Sequence, residues 1–389
     1  MLQPITPPAI SDSITDPTHE LTHLSQVQDA PVSSLPTPSV SDWEQALTEH
    51  PDDANLWHQR GRALARVERT HEALSSYNCA VSLNPQLFEA WCDRAVLLEQ
   101  MGDLEEALAS CDAVLEQQAD YALAWNQKGI TLRKLGQTDD ALHCYSRAII
   151  LQPDFYQALN NRGYLLGLLG RHGEALECLQ QAVTTAPQYA SAWHNLGYLL
   201  MLQGQHEAAL ECYLNVLELN PKKLEAWLNT GHILYNLAQY EDALSYYERA
   251  LRLQPSSWFA WENRGHTLGK LERYSEALQS YDRALSLQPR AGHAAFYRGI
   301  ALSQLGRYEE VLVSYTYALT HERNEADFWY NRASCYAILQ QADAALADLK
   351  VAIALNPTLM SEASRQDPDF AMLQADPRFQ QILHWRSAS

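Results

Sequence analysis

Fourteen histidines and seven cysteines have the widest chemical reach in this chain, since imidazole and thiolate can ligate a metal, move a proton or attack an electrophile. Their spacing does not assemble any of those chemistries. His71, His143, His172 and His206 have no Cys or carboxylate at a ligand interval, and the cysteines are odd in number, with no CxxC and no Cys/His cluster. Cys144, Cys178 and Cys212 do recur at a step of 34. Equivalent positions of stacked helix pairs stand on the order of 10 Å apart, beyond disulfide reach, so these three read as small, half-buried packing residues. Gly167, Gly170 and Gly173 imitate a phosphate-cradling loop but follow a helical stretch rather than a strand. Ser13 beside Asp12, and Ser110 near Asp112, have no base to activate them. The sequence therefore predicts no catalytic residue, no metal and no cofactor.

The step that relates those cysteines runs through most of the chain. Trp57, Trp91, Trp125, Trp193, Trp227, Trp261 and Trp329 fall on one ladder of step 34, with Leu159 and Ala295 on the remaining rungs. Four residues after each rung stands Gly or Ala, from Gly61 to Ala333, and seventeen after stands Leu, from Leu74 to Leu346. Pro85, Pro153, Pro187, Pro221, Pro255, Pro289 and Pro357 close seven of the nine repeats. Apolar positions step by three and four, break near Gly102, Gly136, Gly170, Gly204 and Gly306, and resume, which predicts two short helices per repeat. The small residues let the two helices approach, and Pro stops each repeat because it lacks an amide hydrogen. Neither helix buries its apolar face alone, so neighbouring repeats must stack.

The combination Trp193, Leu196, Gly197, Ala209, Tyr213 and Pro221 over residues 190–223 resembles the tetratricopeptide repeat. That resemblance covers nine repeats, 54–359, and implies an all-α, right-handed superhelical solenoid of helix-turn-helix repeats. Leu159, Cys111, Ala119 and Arg323 depart from the pattern, and Ala295 with Val311 makes the eighth repeat the poorest match. Around the array, residues 1–40 read as a disordered, acidic tail rich in Pro, Ser and Thr, and 41–53 as an N-terminal capping helix. Residues 360–389 read as C-terminal capping helices, each opened by Asp then Pro at 367–368 and 376–377. Asn-Arg-Gly repeats of this kind are similar to those of bacterial, particularly cyanobacterial, proteins.

A formal charge of −19 disfavours a nucleic-acid partner. No stretch approaches the twenty or so apolar residues of a membrane span, and the scattered cysteines suit a reducing, cytoplasmic compartment. Function is then expected in the surfaces. Positions two before, one after, five after and eight after the rung share one helical face, opposite the Trp face. In arrays of the resembling family that face lines a concave groove for a peptide or helix. It carries Asn126, Asn160, Tyr164, His194, Tyr198, His232, Tyr235 and His266. Two after the rung an amide row adds Asn161, Asn195, Asn229 and Asn263, able to pair with the backbone of an extended peptide or, alternatively, to bridge adjacent helices. That row resembles the groove of O-linked N-acetylglucosamine transferases. The Lys and Asn of the chaperone carboxylate clamp are missing from their positions. Arg62, Arg66, Arg133 and Lys134 remain as contacts for an acidic segment, whether a partner's or the chain's own tail. Three after the rung, Arg60, Arg94, Lys128, Arg162, Arg264, Arg298 and Arg332 read as structural, their stems packing and their charged ends reaching neighbouring acids. The expectation is a non-enzymatic interaction scaffold for a protein or peptide, with a self-associating array as the alternative and homo-oligomers left open.

Overall fold

The computed structural model describes residues 38–383. The tail expected over 1–40 lies almost wholly outside the described residues, and so does any contact it makes with the basic residues named above. Helix α1 spans Val40–Glu49. Nine pairs follow: α2 Ala54–Arg66 with α3 Thr70–Leu83, α4 Phe88–Met101 with α5 Leu104–Gln117, α6 Ala122–Lys134 with α7 Thr138–Leu151, α8 Tyr156–Leu168 with α9 His172–Thr185, and α10 Ala190–Leu202 with α11 His206–Leu219. The remaining pairs are α12 Leu224–Asn236 with α13 Tyr240–Leu253, α14 Trp258–Lys270 with α15 Tyr274–Leu287, α16 Gly292–Gln304 with α17 Tyr308–His321, and α18 Ala326–Ile338 with α19 Ala342–Leu355. A last helix α20, Pro357–Gln366, a 3-10 turn, Pro368–Leu373, and α21, Pro377–Leu383, complete an all-α solenoid. Packing divides it into a body ending at Leu219 and a body beginning at Asn220.

Within a repeat the two helices meet where the sequence places its small residue. A Cβ built on Gly265 would stand 2.6 Å from Cε1 of Tyr281, sixteen residues on, so the Tyr ring lies against the glycine backbone. In the second repeat the small residue gains a methyl as Ala95 and the opposing aromatic shrinks to Cys111, and both are fully buried. The eighth repeat lacks Trp and has Val311 in the usual Ala row. There Ala295 is buried at the rung position, and Phe296, one residue on, stacks on Phe328 with centroids 4.3 Å apart and sits 5.3 Å from Tyr315.

The rung tryptophans do more than fill volume. Trp261 donates its indole N–H to the Pro255 carbonyl at 3.0 Å, and Trp57, Trp91, Trp193 and Trp227 make the same bond to Pro51, Pro85, Pro187 and Pro221. Each such bond ties the start of a repeat to the turn before it.

The arginine row three after the rung joins three helices. Arg264 donates to Ser280 on its own second helix at 2.8 Å and to Glu248 on the preceding second helix at 3.1 Å, with its guanidinium 5.8 Å from the Trp261 ring centroid. Arg60 repeats this with Ser76 and Glu44, and Arg298 with Ser314 and Asp282. Arg332 bonds both oxygens of Asp348. One of the three laddered cysteines joins this network, and all three are buried. Cys178 occupies the acceptor position of this network and takes the Arg162 N–H at 3.0 Å, where other repeats use Ser or Asp.

At the ends, Ser39 and Asp42 form a reciprocal capping box on α1. Phe370, Leu373, Phe379 and Leu383 pack, buried, with residues of α18 and α19. Asp367 caps the 3-10 turn and accepts the Tyr330 hydroxyl at 2.7 Å.

Candidate interaction surface

In the body ending at Leu219, the period of 34 sets the residue one after a rung beside the residue two after the next rung, 35 positions on. His58 Nε2 lies 2.8 Å from Asp93 Oδ2, Asn161 donates to Asn126 Oδ1 at 3.1 Å, and Asn195 donates to Asn160 Oδ1 at 2.8 Å. Asn126, Asn160 and Asn195 are buried. Their amides staple neighbouring first helices, the alternative the row left open beside peptide binding. The sequence gives the row; it does not give the distance between rows. Asn161, Tyr164, His194 and Tyr198 stay half-buried, with His194 edge-on to the Tyr213 ring at 5.6 Å.

The basic candidates are also largely engaged. Lys134 meets Glu99 at 2.5 Å, a carboxylate only 1 % exposed, and Arg62 lies 3.7 Å from Asp93. Arg133 stands over the Tyr164 ring at 5.9 Å. Arg66 is exposed at the end of α2.

In the body beginning at Asn220, His232 is buried, His266 and His293 are half-buried and His321 is exposed. Asn229, His232 and Asn263 are buried. Asn236 donates to His232 Nε2 at 2.9 Å, and Asn263 donates to the Phe259 carbonyl one turn back. Tyr235 is half-buried against Tyr240 at 5.4 Å. His266 Nδ1 lies 3.1 Å from the Tyr281 hydroxyl, and its ring sits 4.2 Å from Tyr297. Burial first, then His293 and Lys270, drives its pKa down to about 3, so the ring is neutral. Glu262, 3.9 Å away, is pushed up to about 7 by burial and by Glu322.

Sequence reasoning passed over Leu168 and Leu202. They stand nine after their rungs, one turn beyond Tyr164 and Tyr198, and are 48 % and 53 % exposed. The same row elsewhere holds Arg66, Gln100, Lys134, Asn236, Lys270 and Gln304, with Ile338 in the ninth repeat. That change from polar to leucine was the available signal. Among the described residues no group of three His, Cys, Asp or Glu could hold a metal. Burial pushes the Cys92 thiol up to about 12 and Cys144 to about 11, away from reactivity. No described helix is long and apolar enough to cross a membrane.

Family profiles for the tetratricopeptide repeat match residues 58–122, 126–190, 190–223, 224–257, 258–290 and 326–359, more than half of the chain. The chain belongs to the tetratricopeptide repeat family. Its eighth repeat, 292–325, falls between two matched stretches of the tetratricopeptide array. The fold is similar to that of the C-terminal part of a tetratricopeptide protein from Cytophaga hutchinsonii, with TM-score 0.51 and 18% identity over 59% of this chain and 95% of that one. Pseudomonas aeruginosa pilF matches with TM-score 0.48 and 18% identity, covering 55% of this chain and 96% of that one. YrrB, a tetratricopeptide protein described as having an unusual peptide-binding site, matches with TM-score 0.44 and 23% identity, covering 47% and 95%. No curated protein matches the chain significantly. The tetratricopeptide fold supports protein-interaction scaffolds in general, and such proteins are generally non-enzymatic.

Proposed function

We propose that this chain is an interaction scaffold that takes a peptide or helix of a protein partner on its first-helix face at repeats four and five. The observation that carries this reading is the pair Leu168 and Leu202, each about half exposed at equivalent positions of adjacent repeats. The repeat itself is the control. Six of the other seven repeats carry charged or amide side chains in that row and the ninth carries a half-buried Ile338, so the fold does not require the exposed leucines at 168 and 202. Half-buried Tyr164 and Tyr198, one turn back, extend the patch with rings that are apolar on the face and polar at the tip. Covering the exposed halves of both leucines would contribute on the order of 1–2 kcal/mol, a modest anchor that rim contacts would extend.

The test is affinity capture from native lysate with wild type, Leu168→Ser with Leu202→Ser, and Ile150→Ser as an exposed second-helix control. Loss of a captured protein in the double variant alone supports the face. Retention by every variant removes it. Light scattering distinguishes the self-associating alternative, in which a wild-type oligomer would dissociate in the same double variant.

A further inference from the structure

Repeats six and seven present a different surface, built on second helices. Helices α13, α14 and α15 line a cleft of about 550 Å³, within the size range of ligand sites. Buried Leu251 and the ring of Trp261 form part of its wall. That ring is fixed by its bond to the Pro255 carbonyl, and Arg264 over it is fixed by Ser280 and by its ion pair with Glu248. Arg264 and Glu248 thus neutralise each other.

Two further cations line the same cleft, Arg252 from α13 and Arg283 from α15. Both are exposed. Arg283 reaches Ser286 Oγ at 3.4 Å, and among the described residues neither guanidinium meets a carboxylate. This is unusual company in a chain with 47 acids and 28 bases. The repeat again supplies a comparison. At the position of Arg252 the other repeats carry neutral or acidic residues, such as Glu116, Ile150, Glu218 and Thr320, so the fold requires no cation there.

We propose that this cleft is a second binding site, for a segment of a partner protein in which Asp or Glu side chains adjoin an apolar one. Guanidinium groups bind carboxylates through paired N–H donors. Trp261 and Leu251 receive the apolar side chain, and the Gln279 amide in the same lining can pair with the segment's backbone. Fixed Trp and Arg side chains are the residue types that dominate interface energetics. The site uses residues other than Leu168 and Leu202 and stands independently of that reading.

The probe is a fluorescein-labelled peptide with glutamates on both sides of one leucine, compared with its glutamine counterpart, titrated with the full chain by anisotropy. Saturable binding of the glutamate peptide alone, weakening as salt rises, is expected. Arg252→Ala and Arg283→Ala should each weaken it about tenfold or more, and Arg252→Lys, which keeps the charge and loses the fork, should fall between. Arg147→Ala and the Leu168→Ser, Leu202→Ser variant should bind as wild type does. Equal binding by the arginine variants, with circular dichroism unchanged, would overturn the proposal, as would the absence of saturable binding. Displacement of the peptide by inorganic phosphate or a single-stranded oligonucleotide at equal concentration would also overturn it, by revealing a general anion site.

Discussion

Trp329 donates its indole N–H to the carbonyl of Arg323 at 2.8 Å, the bond that other rung tryptophans make to a proline carbonyl. Trp125 does the same to Ala119 at 2.9 Å. The acceptor is therefore the backbone of the turn, and proline is present for its restricted φ and missing N–H rather than for the bond. Glu322, before Arg323, has φ −132° and ψ 81°, close to the φ −135° and ψ 88° of Gln254 before Pro255, so its backbone already suits a following proline. Arg323→Pro and Ala119→Pro should each leave the indole bond in place and stabilise the chain by about 0.5–1 kcal/mol, by narrowing the unfolded ensemble. Urea denaturation followed by circular dichroism checks this, and destabilisation by either substitution would contradict it.

The turn between the two helices of a repeat is left-handed in every repeat. Glycine occupies it five times, as the sequence indicates, but Glu68, Ala238, Glu272 and Gln340 hold φ of 58–59° at the equivalent positions. A side chain in that region costs about 1–2 kcal/mol, against about 0.5–1 kcal/mol for the greater freedom that Gly loses on folding. Ala238→Gly should therefore stabilise by about 0.5–1 kcal/mol. Gly136→Ala should destabilise by a similar amount, although a Cβ there would meet nothing within 4 Å. Paired thermal melts of the two variants, shifting in opposite directions, are the check.

Glu262 and His266 make stability depend on pH with opposite signs. The Glu262 pKa rises from 4.5 to about 7 on folding, so its contribution is full below pH 4.5 and is lost as pH rises through 7. The His266 pKa falls from 6.5 to about 3, so its contribution is full above pH 6.5 and is lost as pH falls toward 3. Between pH 4.5 and 6.5 the two slopes offset, and above 6.5 Glu262 dominates. Glu322, His293, Lys270, Tyr281 and Tyr297 surround the pair. Glu262→Gln removes the acid's part, so its stability advantage over wild type should grow by about 2–3 kcal/mol from pH 5 to pH 8. Denaturation at the two pH values measures it, and an equal difference at both would rule the buried acid out.

The repeat, its register and its helices were legible because one period fixes them all: Trp57 to Trp329, Gly61 to Ala333 and the closing prolines mark the same boundaries that the helices adopt. The structural role expected for the arginine row was legible for the same reason. Its partners lie sixteen residues to either side, as Ser280 and Glu248 do for Arg264. The candidate surface was less legible. A helical face can be read from a 3.6-residue period, but whether Asn195 points to solvent or to Asn160 depends on how closely two first helices stack, which no local pattern encodes. Leu168 and Leu202 escaped because the face was drawn through four positions and theirs lay one turn outside it. Reading rows across repeats, with each row's majority as the reference, would have found both leucines and Arg252.

The most direct test of the scaffold reading places a photo-crosslinking amino acid at Leu202, and in a separate variant at Ile150 on the second helix of repeat three, in the full chain in its native lysate. The account predicts a protein adduct from Leu202 that is absent from Ile150 and is lost when Tyr164 and Tyr198 are both changed to Ala. An adduct from Ile150 with none from Leu202 would contradict it and move the working surface to the second helices.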